Sequence, residues 1–303
     1  MNPAAGGGRG AALADTVGRA LRARSVNAHS ERARDLEHAR ELALSAARAG
    51  EVVVVVGGDG MIGAVADVLR TVDGALLGIV PAGRGNDLAR VLSIPADPER
   101  ACEVIACGRP RPIDLGEIGG RAFVGIASVG FDSEANRIAN LAPARLGQGV
   151  YLYGALRALL SWRPARFELE LDGPGERDPG RRDPGRRSVS GYTVAVANSK
   201  AYGGGMLLAP GARLDDGLLD VVTIGRMPKL RFLANLPRVF RGTHVALDLV
   251  TLERAGEVEI ACDRPFTVYA DGDPIARLPA RVRAIPRALE VLVPRDGPRG
   301  DGP

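Results

Sequence analysis

Short apolar runs broken by glycine, with amphipathic stretches between them, set the pattern of the first third of the chain. VVVVV at 52–56 and LLGIV at 76–80 read as buried strands, followed by predicted helices at 61–71 and 85–92. Upstream, Leu13, Val17 and Leu21 predict a helix over 11–24, and Leu36, Leu42 and Leu44 predict another over 31–49. Strands alternating with helices imply an α/β domain with a parallel sheet and crossover helices. After Asp114 the texture changes. Short strands are predicted at 121–127, 166–171, 191–197, 218–224, 257–261, 266–270 and 289–293, separated by Gly, Pro and Asp. One helix, at 149–161, interrupts this all-β pattern. The expected domains are therefore 1–115 (α/β) and 116–293 (β). GPGERDPGRRDPGRRS at 173–188 is too polar to pack and reads as a flexible loop, and the tail 294–303 as disordered.

Both early strands run into glycine turns that hold an aspartate: Gly57-Gly58-Asp59-Gly60 after the first, Gly83-Arg84-Gly85-Asn86-Asp87 after the second. Glycine lets backbone N–H groups approach a polyanion closely, and helix starts favour negative charge. Carboxylates would repel bare phosphate, so a bridging Mg²⁺ is implied and ATP is the expected ligand. Gly58-x-Gly60-x-x-Gly63 formally matches a dinucleotide fingerprint, but the next strand ends in Val80-Pro81-Ala82-Gly83 without the acid that would hold ribose. A tight turn with Asp59 capping the following helix is the plain structural alternative.

Composition narrows the field. With 303 residues, 46% hydrophobic and 25% charged, the chain suits two globular domains with a sizeable core. No run reaches the roughly 18–20 apolar residues of a spanning helix, and MNPAAGGGRG lacks an apolar signal region, so a cytoplasmic protein is expected. Cys102, Cys107 and Cys262 have no metal-ligand spacing and read as reduced thiols; His29, His38 and His244 are scattered. A net charge of +4 lends little support to nucleic-acid binding, although a mildly basic surface suits anionic lipid headgroups. Tyr151, Leu152, Tyr153, Leu156, Leu159, Leu160 and Trp162 form a helical apolar stripe, read first as packing on the β-domain and second as an acyl-chain or membrane face. Phe232, Leu233, Leu236, Val239 and Phe240 read the same way.

Taken together, GGDG and the later P-x-G-x-x-N-D-x-A-R resemble the diacylglycerol kinase catalytic domain family, which includes bacterial lipid kinases and is related to sphingosine and ceramide kinases. Further matches are Asn2-Pro3, Asp114-Leu115-Gly116, Ala197-Asn198 through Gly203-Gly204-Gly205 to Ala209-Pro210, Asp215-Asp216-Gly217-Leu218-Leu219-Asp220 and Asp271-Gly272-Asp273. The resemblance implies an α/β domain like that of NAD kinases and phosphofructokinases, a β-sandwich after it, and ATP in the cleft between them. It implies that Gly57, Gly58, Asp59, Gly60, Met61, Ile62 and Gly63 wrap the ATP phosphates. Gly83, Arg84, Asn86 and Asp87 would close the same pocket, with Ser30 at its adenine or ribose edge. Asp59, Asp87 and Asp114 would organise catalytic Mg²⁺. A second, structural Mg²⁺ is implied at Asp216 with the carbonyls of Arg213 and Leu218; a hairpin turn with solvated aspartates is the alternative. The implied acceptor is a lipid hydroxyl at the inner membrane surface, reached by peripheral contact, and domains of this type pair through their sheets, so a homodimer is possible.

Four departures temper the match. Asp273 stands where the family has its general-base glutamate, one methylene shorter, and misplacement by about 1 Å can cost roughly a hundredfold. Met61 and Arg84 stand where the family has threonines; a guanidinium can still bind phosphate. Only Met1 precedes Asn2-Pro3, so an apolar strand is expected upstream. Two rivals follow: an NAD kinase-like enzyme sharing GGDG, and a non-catalytic lipid- or nucleotide-binding module.

Overall fold

The computed structural model describes residues 10–141, 149–172 and 185–295. The described residues form two units, one running to Leu115 and resuming at Pro286, the other Gly116–Ile285. The segment 173–184, most of the expected flexible loop, and residues 296–303 of the expected disordered tail lie outside the described residues.

Unit 1 runs α1 (Gly10–Ala23), α2 (Leu36–Arg48), β1 (Val53–Gly57), α3 (Asp59–Leu69), β2 (Leu76–Pro81), α4 (Asp87–Val91), α5 (Pro98–Cys107) and most of β3 (Arg109–Ile118). β1 and β2 pair in parallel, as the alternation predicts. α2 starts on Asp35, whose side chain accepts from His38 N, and α5 on Asp97, with Pro98 in its first turn. α2 packs on α3, α1 on α5, and α5 on β2. The predicted helix at 85–92 shortens to α4, because Asn86 adopts a left-handed φ of 52° and holds the turn out of the helix.

Unit 2 continues with β4 (Arg121–Phe123), β5 (Ile126–Gly130), α6 (Phe131–Leu141), α7 (Gly149–Ser161), β6 (Ala165–Asp172), β7 (Arg186–Ala197), β8 (Leu219–Gly225), α8 (Lys229–Phe240), β9 (Val250–Ala255), β10 (Glu257–Cys262), β11 (Thr267–Ala270) and β12 (Asp273–Arg277). The last strand, β13 (Ala280–Val293), pairs with β10 at its start and with β2, in parallel, near its end. An antiparallel ladder runs β10–β6–β7–β5–β11–β12, and β8 bridges β7 and β9.

β7 shows why the unit needs helices as well as strands. Val194 and Val196 join one core with Phe167, Val258 and Val282, whereas Ala195 and Ala197, and Tyr192 across a register shift between Gly191 and Thr193, join a second with Phe131, Trp162 and Phe232. Alternate residues face opposite sides of a strand, so both faces are covered. The second face lies under α6, α7 and α8, two of which the all-β expectation lacks. Phe131, Trp162, Tyr192 and Phe232 interlock there, with Tyr192 stacked on Phe232 at 4.4 Å and Phe131 edge-on to Trp162 at 5.7 Å. The predicted stripe divides: Leu159 and Trp162 are buried, while Tyr153, Leu156 and Leu160 are exposed.

Candidate active site

The parallel register sets Gly57 opposite Pro81, so the two glycine turns leave neighbouring strand ends together. Ala82 N donates to Gly57 O at 2.9 Å. Where their backbones come nearest, the turns meet glycine to glycine. A Cβ on Gly83 would lie 2.4 Å from Gly58 Cα, and one on Gly58 would lie 2.9 Å from Gly83 Cα. Any side chain at either position would drive the turns apart.

Asn86 folds the second turn onto itself: its Oδ1 accepts from Gly83 N at 2.8 Å, and its Nδ2 donates to Gly83 O at 3.1 Å. Asp59, the first residue of α3, reaches across to α4. Its Oδ1 accepts from Asp87 N at 2.8 Å and from Leu88 N at 3.4 Å. Asp59 therefore caps the opposite helix rather than its own. Asp87 is buried, and its Oδ1 accepts from Arg90 Nη1 at 2.8 Å. Burial, and then the negative charge of Asp87, push the Asp59 carboxyl above the usual carboxylate range, against N–H bonds from Asp87, Leu88 and Asn86.

The two acidic side chains lie together, and one of them, Asp87, already carries the Arg90 guanidinium. The start of α3 beside them leaves N–H groups without intrahelical partners, a natural phosphate cradle. Among the described residues, no group of three or more His, Cys, Asp or Glu side chains is arranged to hold a metal ion. Asp114 thus does not complete a three-carboxylate set with Asp59 and Asp87. Mg²⁺ needs no such cage, since it commonly takes one or two carboxylates together with substrate phosphates. Asp59 and Asp87 fit that mode.

The other expected residues fall out as follows. Met61 is buried, its sulfur 3.0 Å from where a Gly57 Cβ would stand, and Ile62 is fully buried. Both donate their N–H groups to Gly58 O within α3 at 3.1 Å, so they build the turn from behind and leave Gly58, Asp59 and Gly60 at its front. Gly63 is buried inside α3, and Arg84 is exposed on the second turn. Ser30 is exposed in the irregular stretch between α1 and α2. Asp114 is buried in β3 and its Oδ1 accepts from Arg287 N at 2.7 Å, pinning a residue with φ of 50°. Gly116, beside it, leaves room for the Phe123 ring.

On unit 2, Asp271 and Gly272 form a two-residue hairpin loop between β11 and β12, with φ of 51° and 93°. Asp271 is structural: its two oxygens accept from Val124 N at 2.8 Å and Gly125 N at 2.9 Å. Asp273, which opens β12, is exposed. The second magnesium expected at Asp216 does not suit its surroundings. One Asp216 oxygen accepts from Leu218 N at 3.1 Å and the other is paired with the Arg254 guanidinium, so the loop carries its own cation.

Sequence reasoning missed Asp132. It is partly buried at the start of α6, its carboxylate bonded by the hydroxyls of Tyr202 and Thr193, and loss of solvent around the carboxyl pushes it up to about 6. It lines an apolar cavity of about 190 Å³ together with residues of α7, α8 and β8.

Comparison with known proteins decides the family. Residues 1–118 match the diacylglycerol kinase catalytic domain, and residues 125–293 match the YegS C-terminal NAD kinase beta sandwich-like domain. A protein named diacylglycerol kinase from Mycobacterium tuberculosis (strain ATCC 25618 / H37Rv) is 36% identical over 304 residues, covering 98% of this chain and 94% of its own. The chain belongs to the diacylglycerol kinase family of lipid kinases. Family members similar to it include the diacylglycerol kinase of Bacillus subtilis (strain 168), 29% identical with 86% and 83% of the two chains covered. A "Probable lipid kinase YegS-like" protein of Pseudomonas fluorescens is 32% identical, with 86% and 83% covered. The crystal structure of a diacylglycerol kinase from Bacillus anthracis str. Sterne superposes with a TM-score of 0.74 at 18% identity, covering 96% of this chain and 94% of its own, a likeness of fold. No helix among the described residues is long and apolar enough to cross a membrane.

Proposed function

We propose that the protein transfers the γ-phosphoryl group of ATP to a lipid hydroxyl, with diacylglycerol as acceptor and phosphatidate as product. The observation that carries this reading is the Gly58–Gly83 contact with Asp59 bonded to Asp87 N, which sets two helix-start turns and two carboxylates at one place. Phosphoryl transfer needs chiefly positioning and charge stabilisation, and this is a device for both.

The free N–H groups at the start of α3 orient the phosphates, and the exposed Arg84 guanidinium answers for the hydroxyl that the turn lacks. Mg²⁺, when bound by Asp59 and Asp87, would neutralise the β- and γ-phosphate oxygens. Asp273 accepts the proton of the acceptor hydroxyl as its oxygen bonds to the γ-phosphorus and the bond to the ADP oxygen breaks. The setting is cytoplasmic, with transient contact at a membrane surface.

Labelled γ-phosphate supplied to the purified protein with diacylglycerol, a total lipid extract and NAD in parallel tests the proposal. Label in phosphatidate supports it. Label in NADP alone, or ATP binding without transfer to any lipid, overturns it.

A further inference from the structure

Asp273, the proton acceptor of the kinase reading on which this inference rests, follows directly on the loop Asp271-Gly272. A tilt of that loop therefore carries the Asp273 carboxylate with it. The loop is anchored outside its own hairpin. Asp271 Oδ2 accepts from Val124 N at 2.8 Å, and Oδ1 from Gly125 N at 2.9 Å. Two N–H bonds to one carboxylate fix its direction as well as its distance. Position 125 has to be glycine, because a Cβ there would meet Asp271 Oδ1 at 2.5 Å.

The same dipeptide is gripped from its other side by Asn198, which lies just past β7 and is fully buried. Its Nδ2 donates to Val124 O and its backbone N–H to Gly125 O, both at 2.9 Å. Asp271 thus takes both N–H groups of Val124-Gly125, and Asn198 takes both carbonyls. The strands make this possible: Ile126 pairs with Ala197 on one side and Ala127 with Ala270 on the other, so three strand ends lie side by side. Val124 is buried, and its carbonyl would be costly to leave without a donor. Ser199 lends only backbone, its N–H reaching Gly125 O at 3.2 Å while its buried hydroxyl has no partner. We infer that Asn198 is a positioning residue: through Val124-Gly125 and Asp271 it fixes the angle at which Asp273 meets the acceptor hydroxyl.

Asn198→Ala removes the donor to Val124 O. It should lower kcat for diacylglycerol phosphorylation by roughly ten- to a hundredfold, while the KM for ATP stays within about threefold of the parent. Ser199→Ala, which empties the neighbouring buried position without touching the link, should keep the parent's kcat. In an Asp273→Asn background, Asn198→Ala should cost less than about threefold, because the group it positions is already gone. Amide exchange at Val124 and Gly125, followed by NMR without ATP or lipid, should quicken about tenfold in Asn198→Ala. Undiminished cost of Asn198→Ala in the Asp273→Asn background, or unchanged exchange, overturns the inference. If Asn198→Ala does not fold by circular dichroism, Asp271→Asn loosens the link from the other side, and Asn-Gly still suits the turn. The same kcat loss, vanishing in the Asp273→Asn background, is expected of it; independent losses count against the positioning role. Quickened exchange in the variant, with no phosphoryl transfer to any lipid by the parent, sinks the kinase reading alone. Transfer by the parent, with kcat and exchange unchanged in Asn198→Ala, sinks the positioning role alone.

Discussion

Asp59 Oδ1 accepts the backbone N–H of Asp87 at 2.8 Å, across 28 residues of sequence. One carboxylate thereby fixes the distance between two glycine turns and presents a second carboxylate beside itself. Burial and the neighbouring Asp87 charge raise the energy of the ionised Asp59 against this bond, and a bound cation would lower it. Structure and chemistry meet in this bond.

Asp59→Asn keeps an oxygen to accept the Asp87 N–H and removes the charge. Phosphoryl transfer is expected to fall by about a hundredfold or more, while melting stays within a few degrees of the parent. Steady-state kinetics beside a thermal melt checks this. Turnover within threefold of the parent would remove Asp59 from the reaction.

Gly83→Ala sets a methyl group 2.4 Å from Gly58 Cα, against backbone that cannot swing aside. Destabilisation of about 1–3 kcal/mol is expected, with ATP affinity lost as the turns separate. Gly211→Ala, with nothing within 4 Å of its added carbon, is the matched control and should be neutral. Denaturant melts of the pair decide the point.

The early strands and their turns are legible because short apolar runs end in glycine-rich turns, a signal set by local chemistry. The reach of Asp59 to α4 is not, since helix starts more often carry their own caps. β3 is hidden by Pro110 and Pro112, which argue against a strand until β13 is seen as its partner. α8 is disguised by Pro237 within it, although Phe232, Leu236 and Val239 keep helical spacing. The metal expectation at Asp216 comes from motif alone, which carries no trace of Arg254 arriving from β9. Asp132 is invisible for the same reason: its cavity is assembled from segments far apart in sequence.

Asp132 gives a pH signature. Its folded pKa of about 6 exceeds the unfolded value of about 4. The folded state therefore binds more protons between those values, so this residue's contribution is full below pH 4 and lost as pH rises through 6. Stability of the parent relative to Asp132→Asn should fall across pH 4–6 and stay flat above pH 7. A constant difference across that range would contradict the burial argument.

Asp216 predicts indifference to metal. With Arg254 already paired to its carboxylate, millimolar Mg²⁺ or a chelator should leave the melting temperature of the ATP-free protein unchanged. Arg254→Ala should introduce a magnesium-dependent rise. A strong chelator effect on the parent would show that the loop holds a metal after all.

Asp273→Asn should lower kcat by roughly a hundredfold or more with little change in ATP affinity, because it removes a proton acceptor rather than a phosphate contact. Asp273→Glu, which restores the longer arm, should retain activity. Equal loss in both would assign Asp273 to the hairpin turn instead of the reaction.

Calorimetric titration of ATP into the protein, with and without Mg²⁺, addresses the twin-turn site most directly. Magnesium-dependent binding in the parent that is lost in Asp59→Asn is predicted. Heat that is the same with and without magnesium, or unaltered by that substitution, would contradict the account.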